Sequence, residues 1–488
     1  MTEPLLLTGA RLPGAAEPVD VLLTDGLISA VGSGAGTRGR RVDLAGRWIV
    51  PGLWDEHVHL TQWAMTRRRL DVSPASSAAH AADLVRAHLT GPHAPAADEH
   101  PVVGYGFRDG LWPDAPSRAL LDAAGPDHAV VLVSADLHCV WPNSAAARLF
   151  GVLDGQDGLL VEDDAFLITR RLDEVPDTVV DGWVADAAEA AAARGVVGVV
   201  DLEMAWNPGV WARRVAAGHR ALRVDTGVYT RHLDRALDSG LRTGDPVPGG
   251  GGLVRMGPFK ILIDGSLNTR TACCRQPYPD GTSGFLTVEP ADLLDLLRRA
   301  VGGGLTPAVH AIGDEAARIA LDTFAQLGVG GRMEHAQLVA PEDLARFAEL
   351  GITASIQPEH AMDDRDVADR HWAGRTAWAF PARSLLDAGA RLALGSDAPV
   401  SPLDPWLGVA TAVTRSRDGR DPWHPEQAIS VADALAASTR HGRIAPGEPA
   451  DLVVLERDPL ASSGDELRTM PVSATVLAGR VTAGALPD

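Results

Sequence analysis

Apolar and polar residues alternate differently at the two ends of the chain and in its centre. The first fifty residues hold short apolar runs, "PLLLTG", "VDVLLTDG", "LISAVGSG" and "RVDLAGRWIV", punctuated by Gly and Asp as strands are. The last forty hold similar runs, "ADLVVLERDP" and "SATVLAGRVTA". We therefore predict short strands in two terminal segments, residues 1–50 and 446–488.

Between them, in residues 51–445, apolar runs alternate with Ala/Leu-rich helical segments such as "DEAARIALDTFAQL". This alternation predicts βα units around a parallel sheet. Eight runs have the length of core strands: "RWIVPGLWDEHVH", "GVVGVVDLEM", "LRVDTGVY", "VRMGPFKILID", "LTPAVHAIG", "GRMEHAQL", "GITASIQ" and "RLALGSDAPV". Eight units favour an α/β fold with a closed (β/α)8 TIM-like barrel. An open doubly wound sheet is the main alternative, although no GxGxxG follows the first strand.

The segment between the first two predicted strands, residues 61–190, is far longer than a helix with loops of roughly two to six residues. It contains apolar runs of its own, "PVVGYGF" and "AVVLVSADLH". We predict that it forms an inserted subdomain over the mouth of the barrel.

Composition narrows the function classes. The 488 residues are 45% hydrophobic and carry a formal charge of −20, without a basic stripe, which argues against a nucleic-acid partner. No apolar run reaches the ~20 residues of a membrane span. The N-terminus lacks the features of a secretory signal, and three cysteines do not make a disulfide framework. We expect a cytoplasmic enzyme that acts on a small molecule without a membrane.

Lys260 is the only lysine among 44 basic residues. Arginine supplies the positive charge elsewhere, so this position is one where a cation alone does not suffice. A primary amine can lose its proton when buried, whereas the guanidinium of arginine stays charged.

Chemically reactive side chains recur at the ends of the predicted strands. His57 and His59 lie on one face of strand one, because side chains alternate along a strand. Each residue alone has an ordinary structural explanation, such as a pairing of His335 with Glu334. Together they occur at successive strand ends, and these ends converge on the C-terminal face, where barrel active sites form. The candidate metal ligands are His57, His59, Lys260, His310, His335 and Asp397.

This pattern resembles the amidohydrolase superfamily. The phrases "WIVPGLWDEHVHL", "KILIDGSLNTRTA", "VHAIGD", "RMEHAQL" and "LGSDAPV" are similar to its amidohydrolase-3 branch, which includes proteins like N-substituted formamide deformylase. The insertion phrase "SADLHCVWPNSAA" and the ending "PGEPADLVVLERDP" also fit that branch. The resemblance implies that the terminal strands form a composite β-sandwich beside the barrel.

The resemblance also implies a centre of two divalent metals, with zinc expected. His57, His59 and Asp397 would hold one ion, and His310 and His335 the other. In related members carbon dioxide carboxylates the strand-four lysine, so Lys260 would bridge the ions as a carbamate. Asp397 would serve as ligand and as general acid–base while a metal-bridging hydroxide attacks an amide, N-formyl or carbamate-like C–N bond.

Other functions stay open at this stage. The same site would attack an ester or lactone, and a deaminase is a further alternative, although Glu315 poorly fits the glutamate that deaminases need. A non-catalytic relative is less favoured because no ligand is missing. For substrate binding the candidates are His138, Arg270 and Trp141, each with packing or loop stabilisation as the alternative. The oligomeric state stays open, with a homodimer as the candidate assembly because dimers are common among such enzymes.

Overall fold

A computed structural model describes residues 3–33, 35, 39–91, 100–107, 109, 112–134, 139–152, 158–161, 163–172, 174–267, 270–440 and 442–487. The strands are β1 Leu5–Ala10, β2 Val19–Thr24, β3 Leu27–Val31, β4 Arg40–Asp43, β5 Trp48–Pro51, β6 Leu53–Val58, β7 Leu70–Asp71, β8 Val102–Phe107, β9 Val130–Ser134, β10 Cys139–Pro142, β11 Leu160–Val161, β12 Val196–Asp201, β13 Arg223–Tyr229, β14 Val254–Leu262, β15 Pro307–Ala311, β16 Gly331–His335, β17 Ile352–Ile356, β18 Arg391–Leu394, β19 Leu452–Leu455, β20 Val472–Leu477 and β21 Arg480–Gly484.

The α-helices are α1 Leu60–Thr66, α2 Ala78–Thr90, α3 Arg118–Ala124, α4 Ser144–Phe150, α5 Asp163–Leu172, α6 Asp177–Ala192, α7 Asn207–Ala216, α8 Leu233–Ser239, α9 Pro290–Gly302, α10 Asp314–Leu327, α11 Leu344–Glu349, α12 Pro358–His371, α13 Ala382–Asp387, α14 Pro405–Thr414, α15 Val431–Ala437 and α16 Gly464–Arg468. Short 3-10 helices span Thr230–His232, Pro341–Asp343, Thr376–Trp378, Pro425–Gln427 and Pro459–Ala461. No helix in these ranges is both long enough and apolar enough to cross a membrane.

Eight parallel strands form the central sheet, in the order β6, β12, β13, β14, β15, β16, β17 and β18. The sheet closes on itself just beyond the ends of β6 and β18. There the backbone N–H of Asp397 donates to the carbonyl of His57 at 2.7 Å, and that of His59 donates to Ala398 at 2.9 Å. The α/β barrel predicted from the sequence is therefore confirmed, and it is the closed rather than the open form.

The first predicted barrel strand, "RWIVPGLWDEHVH", is wrong as a single element. It forms two strands that belong to different sheets, since β5 pairs antiparallel with β19 and only β6 enters the barrel. The break falls at Gly52, where a Cβ atom would lie 2.4 Å from a methyl group of Val197. Both strands are largely buried, so the apolar run continues across the change of sheet and periodicity does not reveal it.

The two chain ends combine into a composite sandwich, as the resemblance implied. One sheet has the order β3, β2, β1, β4, and the other has the order β21, β20, β19, β5. Apolar side chains from both sheets share one core that includes Leu7, Val21, Ile49, Leu452 and Val476.

Residues Trp63–Val184 form a second compact unit, whereas the sequence predicted an inserted subdomain over residues 61–190. Its sheet has the order β11, β10, β9, β8, β7, with parallel pairing among β7, β8 and β9 and antiparallel pairing beyond. The predicted apolar runs "PVVGYGF" and "AVVLVSADLH" supply β8 and β9. Helices α2 and α3 pack on this sheet around buried residues such as Val85, Leu121 and Leu132.

Candidate metal centre

The six predicted ligand residues lie at or near the C-terminal ends of five barrel strands. His57 is the penultimate residue of β6 and His59 follows that strand. Lys260 lies in the last third of β14, and His310 is the penultimate residue of β15. His335 ends β16 and Asp397 follows β18 by three residues. Parallel strands bring their C-terminal ends to one face of the barrel, which is why residues so distant in sequence meet here.

The distances show that these side chains converge. The Nε2 atoms of His57 and His59 each lie 3.4 Å from Asp397 Oδ1. The ring centroids of His310 and His335 are 4.5 Å apart, and those of His57 and His335 are 4.8 Å apart. Ligand atoms of His57, His335 and Asp397 all lie within 4.8 Å of one another, a spacing that one ion can span.

Hydrogen bonds indicate which ring nitrogen is free in three of the four histidines. His57 Nδ1 donates to Glu334 Oε2 at 2.7 Å, and His335 Nδ1 donates to Gln357 Oε1 at 2.9 Å. His310 Nε2 contacts the carbonyl oxygen of Gly265 at 3.3 Å, and a carbonyl only accepts. The lone pairs left for a metal are therefore on Nε2 of His57 and His335 and on Nδ1 of His310.

The protonation states suit metal binding. Burial lowers the pKa of His57 to about 4 and that of His310 to about 3, and it holds the pKa of His335 well below its usual value. The positive charge of Lys260 adds to each of these shifts. These imidazoles are neutral at pH 7, as ligands must be.

His59 and Asp397 behave as a pair. Burial opposes a charge on His59, but the carboxylate of Asp397 outweighs it and raises the pKa of this imidazole. Burial alone would raise the pKa of Asp397, but His57 and the hydrogen bond from His59 hold it below its ordinary value. Asp397 is therefore ionised and able to accept a proton.

Lys260 is buried with its amine unsatisfied. The residue is 2% exposed, and Nζ makes no hydrogen bond within the described residues. Burial lowers its pKa to about 8, against the attraction of Glu334 and Asp397. An unpartnered buried amine beside four imidazoles and a carboxylate fits a centre that holds divalent ions, and this donor set suits zinc. The residues present therefore fit the metal group that the resemblance implied.

The backbone at two of these residues is strained. His335 has φ of 73° and Asp397 has φ of 55°, in the left-handed region that side chains other than glycine rarely adopt. Such conformations cost of order 1–3 kcal/mol each and persist where the surroundings impose them. Next to Asp397, Gly395 allows β18 to approach β6, since a Cβ atom there would lie 2.6 Å from the backbone nitrogen of His57.

The pairing of His335 with Glu334, which the sequence offered as a structural alternative for His335, does not form. Glu334 does not pair with its neighbour His335; it crosses the barrel to His57 and also accepts from Arg332 Nε at 2.9 Å. Arg332 in turn donates to Glu56 Oε2 at 2.6 Å. Gln357, His360 and Arg332 were also missed. Their only sequence signal is a position near the start or end of a predicted strand, which many residues share.

The three candidate substrate-binding residues differ in what the structure says of them. His138 lies outside the described residues. Trp141 is fully buried in the core of the second unit, and its indole N–H donates to the carbonyl of Ser117 at 2.9 Å, which favours a packing role. Arg270 is about half exposed and forms an ion pair with Asp280 at 3.0 Å, which favours loop stabilisation.

Comparisons with known proteins agree with this geometry. A sequence model described as the amidohydrolase family matches residues 40–483. The chain is 29% identical to the protein LONG AFTER FAR-RED 3 of Arabidopsis thaliana, over 93% of this chain and 86% of that protein. It is 27% identical to N-substituted formamide deformylase of Arthrobacter pascens, over 94% of each chain. A solved structure of an uncharacterized metal-dependent hydrolase from Pyrococcus horikoshii superimposes with a TM-score of 0.78 at 26% identity, covering 95% of this chain and 99% of that one.

Proposed function

We propose that this chain, which belongs to the amidohydrolase family and resembles a solved metal-dependent hydrolase, hydrolyses a C–N bond of a small molecule. The proposed substrates are amides, N-formyl amines and carbamate-like compounds. One observation carries the proposal: four imidazoles, one carboxylate and a buried lysine amine with no hydrogen-bond partner among the described residues converge at the C-terminal face of the barrel.

Each side chain has a proposed place in the metal centre. His57, His59 and Asp397 would hold one divalent ion, and His310 and His335 would hold a second, with zinc as the expected metal. Lys260 would contribute to both as a carbamate, formed when its neutral amine adds carbon dioxide and releases one proton. When bound, the ions would supply Lewis acidity toward a carbonyl oxygen and lower the pKa of a water.

Asp397 is the proposed general acid–base. Its Oδ1 faces His57 and His59, which leaves Oδ2 for proton transfer. Asp397 is ionised before the reaction, so it can accept a proton from the attacking water. It then returns that proton to the leaving nitrogen as the C–N bond breaks.

The N-formyl amine is the narrowest substrate class we propose. It is supported by the likeness to N-substituted formamide deformylase, which extends over 94% of each chain. The other proposed C–N substrates differ from N-formyl amines in the group on the carbonyl carbon. A matched pair of N-formyl and N-acetyl amines therefore distinguishes a deformylase from a hydrolase of other amides.

The test combines metal analysis with a substrate screen. Purified protein is reconstituted with zinc and bicarbonate, its metal content is measured, and hydrolysis is followed with N-formylbenzylamine, N-acetylbenzylamine and a matched benzyl ester. We expect about two ions per chain and faster cleavage of the amides than of the ester. Less than about one ion per chain together with no hydrolysis would contradict the proposal, and cleavage of the ester alone would overturn the choice of bond.

A further inference from the structure

His360 is a fifth imidazole at the C-terminal face of the barrel. It is the third residue of α12, the helix that follows β17, and it is 5% exposed. Its Nε2 atom lies 3.9 Å from Asp397 Oδ2 and makes no hydrogen bond within the described residues. Its ring is nearly parallel to that of His335, at 11° with centroids 6.1 Å apart. A buried ring nitrogen without a partner costs free energy unless a ligand satisfies it.

His360 and the candidate ligands His57 and His59 approach different oxygens of Asp397. The two oxygens of Asp397 divide accordingly. Oδ1 faces His57 and His59 at 3.4 Å each, whereas Oδ2 faces His360. His360 therefore lies beside the carboxylate oxygen that His57 and His59 do not approach.

The other ring nitrogen indicates where the proton of His360 resides. Nδ1 lies 3.5 Å from the side-chain nitrogen of Gln337, and an amide nitrogen is a donor only. In the tautomer in which Nδ1 accepts from this amide, the proton of the neutral ring is on Nε2. The site thus contains an N–H group beside the oxygen that handles protons.

We propose that His360 is a catalytic hydrogen-bond donor whose Nε2–H binds the oxygen of the scissile carbonyl. This inference rests on the proposed function and deepens it. As the water oxygen bonds to the carbonyl carbon, the π electron pair moves to the carbonyl oxygen, and His360 stabilises that negative charge without giving up its proton. The C=O bond then re-forms, the C–N bond breaks, and the proton held on Asp397 passes to the leaving nitrogen. A substrate must therefore place a carbonyl oxygen toward His360 and a leaving nitrogen toward Asp397.

The test compares His360→Ala and His360→Asn with the control His371→Asn. His371 ends the same helix, and its ring packs against Tyr278 with centroids 6.3 Å apart. With metal-loaded full-length protein and N-formylbenzylamine, we expect His360→Ala to lower kcat by about 10²–10³-fold, as loss of one such donor does. KM and metal content stay near those of the wild type. His360→Asn recovers part of kcat because its amide can donate, and His371→Asn matches the wild type.

Each other outcome decides the inference. An unchanged kcat overturns it, and loss of metal in His360→Ala identifies a ligand instead and also overturns it. If the wild type binds metal but cleaves none of the probes, calorimetry with methylphosphonate, a tetrahedral oxyanion, replaces kinetics. A loss of affinity of about tenfold or more in His360→Ala, about 1.4 kcal/mol, supports the inference, and equal affinity overturns it. A wild type that neither binds metal nor hydrolyses the probes refutes the proposed function, and it then also refutes the proposed role of His360.

Discussion

Two groups of charged or polar side chains lie at different levels of the same barrel. The lower group joins Arg332 and Arg440 to Glu56 and Asp225, with each acid and base paired. In the upper group Lys260 Nζ, His59 Nδ1 and His360 Nε2 have no hydrogen-bond partner within the described residues. Proteins normally satisfy the hydrogen bonds of buried polar atoms. The paired lower group therefore stabilises the fold, whereas the upper group marks the place where a metal or a substrate would bind.

Glu334 connects the two groups. One of its oxygens accepts from Arg332 in the lower group, and the other accepts from His57 in the upper group. The orientation of a candidate metal ligand thus depends on a salt bridge in the body of the barrel. We therefore expect large losses of activity from substitutions in the upper group and an intermediate loss from substitution of Glu334. Substitutions in the lower group are expected to reduce stability alone.

The largest effect is expected for Asp397→Asn. The amide keeps the size of the side chain but neither accepts the proton of water nor carries a negative charge toward a metal. We expect hydrolysis to fall by about 10²–10⁴-fold, with reduced metal content. Steady-state kinetics and elemental analysis check this, and an activity within tenfold of the wild type would contradict the role of Asp397.

Lys260→Arg is expected to have the next largest effect. Arginine keeps a positive charge but does not form a carbamate, and its larger head has to fit a site where the lysine is 2% exposed. We expect metal content to fall from about two ions per chain to about one or fewer, and the rate of hydrolysis to fall together with the metal content. The control is Arg298→Lys, a cation exchange at an exposed ion pair with Asp295 on α9, which is expected to leave both quantities unchanged. Full metal content in Lys260→Arg would contradict the bridging role.

Glu334→Gln tests the link between the groups. His57 Nδ1 loses an ionised acceptor and keeps at most a neutral one, so its orientation and its basicity as a ligand weaken. We expect metal affinity to fall by about 10–100-fold, as changes in such supporting carboxylates do. Competition with a chromogenic chelator measures this, and an unchanged affinity would show that the hydrogen bond does not support the ligand.

Glu56→Gln tests the lower group. Burial alone would raise the pKa of Glu56, but Arg440 and Arg332 outweigh it and lower the pKa from 4.5 to about 2. The stabilisation is therefore fully present above pH 4.5 and is lost as the pH falls toward 2. We expect the variant to lose about 3 kcal/mol of unfolding free energy at pH 7 and to show a weaker acid dependence over this window, with kcat per folded molecule nearly unchanged. Urea unfolding at several pH values checks this, and a large loss of kcat would show that the lower group also contributes to catalysis.

The convergence of the candidate ligand residues could be predicted from the sequence because their positions follow a rule of the fold. Each of His57, Lys260, His310 and His335 lies toward the C-terminal end of an apolar run, and parallel strands bring those ends together. The same local pattern gave a wrong prediction at β5 and β6, because one apolar run forms two strands that belong to different sheets.

The supporting residues could not be predicted because their partners are distant in sequence. Glu334 and His57 are 277 positions apart, and only the closed barrel places them in contact. His360 faces Asp397 because α12 begins immediately after β17, a geometry that residue types alone do not specify. The left-handed backbone of His335 and Asp397 likewise depends on packing around them.

Labelling the one lysine tests the central claim most directly. Because Lys260 is the only lysine, protein grown with ¹⁵N-labelled lysine side chains reports a single Nζ atom by NMR. After reconstitution with zinc and ¹³C-bicarbonate, the account predicts direct ¹⁵N–¹³C coupling at Nζ, which vanishes when a chelator removes the metal. An uncoupled amine signal in protein that holds two zinc ions per chain would contradict it.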